Sequence, residues 1–196
     1  MPTRSAEFHA PPSCQSPRWV TVAAVLVAVG CIGFAAVNVV FEGLDHFADG
    51  PYAEYASGIT VMNWLVIGLK VFGAVVALLS VSSQPVLLRP AVVGVLTWGA
   101  FTTLAVYVVG SMVEAIGMAT GLLADADDIG LLDVGYMLFF LTLAAGFGVL
   151  AISHTRRHRL PRRIAVLGMF GPPVVLGGVL FVVPSLLAAI GVMPPL

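Results

Sequence analysis

Five stretches of this chain are each long and apolar enough to cross a bilayer, and they restrict its fold more than any motif does. They are Trp19–Phe41, Ile59–Val81, Ala91–Val113, Val134–Ser153 and Ile164–Val192. A transmembrane helix needs about 20 apolar residues at about 1.5 Å of rise each. Inside lipid every backbone amide must find an internal partner, which leaves only helices or closed barrels. The runs lack the two-residue alternation of barrel strands, so helices are predicted. Charged residues are 10% of the chain against about 25% in soluble domains, so most of the surface suits lipid. The expected fold class is therefore all-α, a polytopic membrane helix bundle with five transmembrane helices. Residues 1–18, rich in Pro and Ser, read as a flexible cytoplasmic tail, and residues 19–193 as a single transmembrane domain.

Direction follows from the basic residues. Arg4 and Arg18 precede the first run, Arg89 lies in the link before the third, and Arg156, Arg157, Arg159, Arg162 and Arg163 crowd the link before the fifth. The two remaining links, 42–58 and 114–133, hold no Lys or Arg and carry acids instead, among them Glu42, Glu114 and Asp133. Basic links are retained in the cytoplasm. That places the N-terminus inside and the C-terminus outside a bacterial plasma membrane. Eight Arg against one Lys point to a GC-rich genome. The arginines of the last basic link are also positioned to hold anionic lipid headgroups, at about 1 kcal/mol each. A competing view takes the first run as a lipoprotein leader cut at Cys31. It fails on the ten apolar residues that follow, since a leader's apolar region stops after about 7–15 residues.

The chain's one lysine, Lys70, has eleven residues of its run on either side and so sits near mid-membrane. A charge there costs about 2.5–3.5 kcal/mol. Both interfaces are about 17 Å away by helix rise, too far for the side chain to reach. Steps of three, four and seven from Lys70 reach Asn63, Gly73, Ala74 and Ala77, then Ser80, a mostly small or polar face. Leu65, Phe72, Val76 and Leu79 form the bulky opposite face. Small faces let helices approach closely in lipid, so Lys70 is expected to point inward. The third run repeats the device with Gly99, Thr103, Tyr107, Ser111 and Glu114, and the first with Ala24, Ala28, Cys31, Ala35 and Asn38. Thr103, Tyr107 or backbone carbonyls are the expected partners of the ammonium group. Lys70, Asn63, Thr103, Tyr107 and Ser111 thus form a candidate intramembrane polar cluster. Glu42 and Glu114 end comparable hairpins, a weak internal repeat that sets Lys70 opposite Thr142.

Chemical motifs are scarce. Asp125–Asp133 begins like a calcium loop, but Ile129 and Tyr136 stand where ligands are required. Asp45, His46, Asp49 and Glu54 share a link without metal-ligand spacing, and no metal or cofactor is expected. Pro172, Pro173 and Pro184 should kink the last helix. There is no C-x-x-C, H-E-x-x-H, G-x-S-x-G or P-loop. The expectation is a non-catalytic accessory or structural subunit of a larger membrane assembly, with lipids and other subunits or further copies as partners and no nucleic acid. A small carrier or ion-conducting oligomer using Lys70 is the first alternative. An enzyme acting on lipid at the outer face is the second.

Overall fold

The computed structural model describes residues 16–44, 56–82, 88–120 and 130–189, with side chains in the last helix as far as Val175. Among these residues the chain is all-helical. Its helices are α1 (Arg18–Gly43), α2 (Ala56–Val81), α3 (Pro90–Ala119), α4 (Leu131–Arg157) and α5 (Arg162–Ala189). Four of them, α1 to α4, are long and apolar enough to cross a membrane. The apolar runs located all five, and α3 extends furthest past its run, carrying Glu114 within the helix. Residues 1–15 of the expected tail, Cys14 among them, the acids Asp45, Asp49, Glu54 and Asp125, His46, and residues 190–192 of the fifth run lie outside the described residues, and Arg18 of that tail already begins α1.

Helices α1 and α2 pack along each other, α3 packs on α4, and α1 also meets α4 to close a four-helix core. Helix α5 lies against α3 on the outside of that core. Predicted faces appear where they were expected on α1, where Ala24, Ala28, Cys31 and Ala35 are buried. On α2 the buried set is Asn63, Ile67, Gly73, Ala74, Val76, Ala77 and Ser80. Val76 therefore belongs to the core rather than to the bulky outer face, on which Leu65 and Phe72 do lie exposed. Helix α3 departs most. Its buried residues are Val93, Gly94, Thr97, Gly99, Val108 and Gly117, and Tyr107 is 50% exposed. The reason is its neighbours: α3 turns toward α4 and α5 and meets α2 only slightly.

Two local devices join the helices. Where α4 ends, Leu160 N–H donates to Thr155 O at 3.0 Å and Arg159 N–H to Arg156 O at 3.3 Å. This is a Schellman turn, with Arg159 at φ 48° where glycine is usual. It folds Leu160 back onto α3 at Gly94, where a Cβ would lie 2.7 Å from the leucine side chain. On α5, a Cβ at Gly168 would lie 2.5 Å from Trp98 Cβ and 2.8 Å from Val95 O, so only glycine lets α5 approach α3 this closely. Pro172 presses on α3 at Gly99 in the same interface. Pro172 and Pro173 lie inside the unbroken span of α5.

Large apolar side chains cover the outside along most of the described lengths of α1 to α4, from Trp19, Leu26 and Val29 through Trp64 and Val109 to Leu138. A soluble core would hide them; a lipid-facing surface requires them. The charges separate by end. Arg18, Arg89, Arg156, Arg159, Arg162 and Arg163 are exposed at one end, and Glu42, Glu114 and Asp133 stand at the other.

Candidate functional site

At mid-bundle, the Lys70 ammonium lies 4.2 Å from the centre of the Phe140 ring and 5.1 Å from that of Phe34. The ring faces carry partial negative charge, and each such contact returns about 0.5–2 kcal/mol, the more when desolvated. Two of them offset a large share of the insertion cost, and Lys70 makes no hydrogen bond or ion pair among the described residues. The two rings belong to a wider aromatic cluster. Phe34 stacks on Phe139 at 5.6 Å and meets Phe140 edge-on at 5.2 Å, while Tyr107 leans on Phe140 at 4.6 Å. The cluster draws on α1, α3 and α4, so no periodicity within one helix could reveal it.

The candidate polar cluster is spread over three places. Lys70 sits among the rings, and Tyr107 packs on Phe140, a ring that Lys70 also meets. Asn63 is two turns nearer the acidic end of α2. It donates to Glu42 Oε2 at 2.9 Å and to Asn38 O at 3.1 Å, and Asn38 donates to Phe34 O at 2.8 Å. That network ties α1 to α2, and Glu42 belongs to it rather than to the other two acids. Thr103 is half-buried on α3. Thr142, the residue opposite Lys70 in the weak repeat, is exposed and bonds back to Leu138 O at 2.8 Å.

Ser111, Glu114 and Asp133 do converge. Together with Tyr107, Ala115, Met118, Val134, Tyr136 and Met137 they line a cavity of about 300 Å³ between α3 and α4, open at the acidic end. Asp133 reaches it from the first turn of α4, where its Oδ2 accepts the Gly130 N–H at 3.0 Å. A carboxylate in that position completes the unpaired amides of the helix start. Beyond Tyr136, on the α1 side of α4, an apolar groove of about 410 Å³ runs between Gly30, Gly33, Phe34 and Val37 and Leu132, Gly135 and Phe139. A Cβ at Gly33 or Gly135 would meet nothing within 4 Å.

The basic end holds a feature that charge counting alone did not show. His154 is 3% exposed, with Nδ1 3.1 Å from Ser80 O and Nε2 3.0 Å from Pro90 O. Arg157 Nη2 donates to the same Ser80 oxygen at 2.6 Å. One histidine thus sits between the last turn of α2 and the first of α3, and Trp98 Nε1 donates to Thr155 Oγ1 at 3.0 Å. Its only sequence signal is that α4 continues four residues past the apolar run, which carries His154 and Arg157 onto the buried face. His158 stacks at 4.5 Å on His154. Burial first, then the charges of His154 and Arg157, hold the His158 imidazole below its ordinary value of 6.5. Of the five arginines expected to meet anionic lipid, Arg157 is turned inward, while Arg156, Arg159, Arg162 and Arg163 remain exposed.

The class that this architecture defines is an all-α bundle with four helices suited to crossing a membrane, which suggests a membrane protein. No family model, curated relative or solved structure matches the chain, so function must be read from its own geometry.

Proposed function

We propose that the chain is a bacterial plasma-membrane protein that crosses the bilayer five times, N-terminus inside and C-terminus outside, and serves without catalysis as an accessory subunit of a larger membrane assembly. The separation of exposed arginines from carboxylates at opposite ends supports the orientation. The four exposed arginines at the junction of α4 and α5 would then rest on anionic lipid. One observation carries the subunit reading: the groove between α1 and α4. Grooves floored by glycine let a neighbouring helix approach closely in lipid, where packing rather than hydrophobicity drives association. Gly33 and Gly135 keep their places open, and no described residue occupies them. The filled mid-bundle agrees with this, since Cys31, Phe147 and Leu150 are buried tightly and Lys70 is held on rings.

Extraction of the whole chain in a mild detergent should give a stoichiometric complex well above the mass of one copy. Gly33→Leu with Gly135→Leu should reduce it to a folded monomer with an unchanged helical spectrum. A clean wild-type monomer in several mild detergents would sink the proposal.

A further inference from the structure

The cavity at the acidic end is separate from the groove and from the basic link, and its lining has a definite chemical bias. Glu114 comes from α3 and Asp133 from α4, and both face the same space of about 300 Å³. Both carboxylates are exposed at its opening, so a cation entering it meets negative charge from two helices. Tyr107 and Tyr136 supply aromatic walls, Met118 and Met137 supply polarisable thioethers, and no Lys, Arg or His is among the described lining residues. Glu114 has no hydrogen bond or ion pair among the described residues. Asp133 commits one oxygen to the Gly130 N–H, and its other oxygen has no hydrogen-bond partner among the described residues. Carboxylate oxygens beside tyrosine faces are the arrangement that selects organic ammonium groups over small hydrated ions. The volume is at the small end of the ligand-site range of about 300–1,000 Å³, enough for a headgroup or a small amine. The protein already holds one ammonium group on aromatic rings, with no carboxylate beside it among the described residues. Lys70 lies on Phe140, and Tyr107, which packs against the same ring, lines the cavity.

The geometry points to a binding site for an organic ammonium group in this cavity, with Glu114 and Asp133 as counter-ions and Tyr107 and Tyr136 as its aromatic walls. The ammonium belongs either to a lipid headgroup or to a soluble amine. Neither source depends on the subunit proposal.

Two arms separate the sources, both with the full chain in nanodiscs. In discs of phosphatidylglycerol alone, tetramethylammonium chloride is titrated against sodium chloride of equal ionic strength, and the melting temperature is followed. In discs that also contain phosphatidylethanolamine, native mass spectrometry counts the aminolipid retained per protein. A saturable rise in melting temperature assigns a soluble amine, and selective retention assigns the headgroup. Glu114→Gln with Asp133→Asn should weaken whichever is seen by about tenfold or more. Asn at 133 keeps the oxygen that accepts from Gly130. Ser111→Leu fills the cavity without changing charge and should abolish binding, so it carries the test if the double variant fails to fold. No effect in either arm, or an effect that survives both variants, overturns the inference.

Discussion

The two ends of this bundle are built on opposite principles. At the basic end, polar groups are spent on one another: His154 spans the carbonyls of Ser80 and Pro90, Arg157 caps Ser80 as well, and Trp98 is bonded to Thr155. The Schellman turn then presses Leu160 onto Gly94. At the acidic end α1 and α2 are tied through Asn63, but α3 and α4 part around a cavity whose carboxylates face open space. Buried groups that satisfy each other stabilise a fold, whereas groups held toward an opening are available to something else. The lesson is that charge alone does not mark a site. Among the described residues, the end with more charged side chains is the structural one.

The largest effect should come from breaking the closed end. His154→Leu removes a buried bridge between two helix termini and leaves Pro90 O facing an apolar side chain. A loss of about 2–3 kcal/mol is expected in thermal or detergent unfolding. Ser111→Leu at the open end should change stability by less than about 0.5 kcal/mol. Equal losses at both ends would erase the contrast.

A smaller effect of opposite sign is expected between the ends, at Lys70. Lys70→Met keeps the length of the stem and removes the desolvated charge, along with two ring contacts worth less than that charge costs to bury. The variant should be more stable than the wild type by about 1 kcal/mol. Marked destabilisation would mean that the ammonium group has a stronger partner than the two rings.

The smallest effect concerns pH at the basic end. His158 is held below its ordinary value when folded, so the unfolded chain binds its proton more readily. Its contribution is present above pH 6.5 and is lost as the pH falls below that value, so acid destabilises. Unfolding measured from about pH 7.5 to pH 5 should show this slope, and His158→Gln should flatten it. An identical slope in the variant would place the titration elsewhere.

Much of this could be read in advance, for a plain reason. Lipid solvates apolar side chains and rejects bare amides, so run length alone dictates five helices and their approximate ends. Alternating basic and acidic links likewise dictate which helix ends lie together. The small-residue faces of α1 and α2 were legible because a helix repeats every 3.6 residues and these two helices pack chiefly on each other. Periodicity failed on α3, because it records which residues share a side and not which neighbour that side meets. The stripe from Thr103 to Glu114 is genuine, yet its outer half opens on a cavity instead of facing α2.

What the tertiary structure alone decided is partnership. Phe34 and Phe140 reach Lys70 from helices far apart in the chain, and His154 finds carbonyl oxygens more than sixty residues away. Contacts of this kind depend on helix rotation and crossing, which are set by side-chain volumes summed over whole interfaces. In this membrane-suited chain the residue pattern determines where the helices are and how they run. Only packing determines which of their few polar groups satisfy one another and which are left facing a cavity.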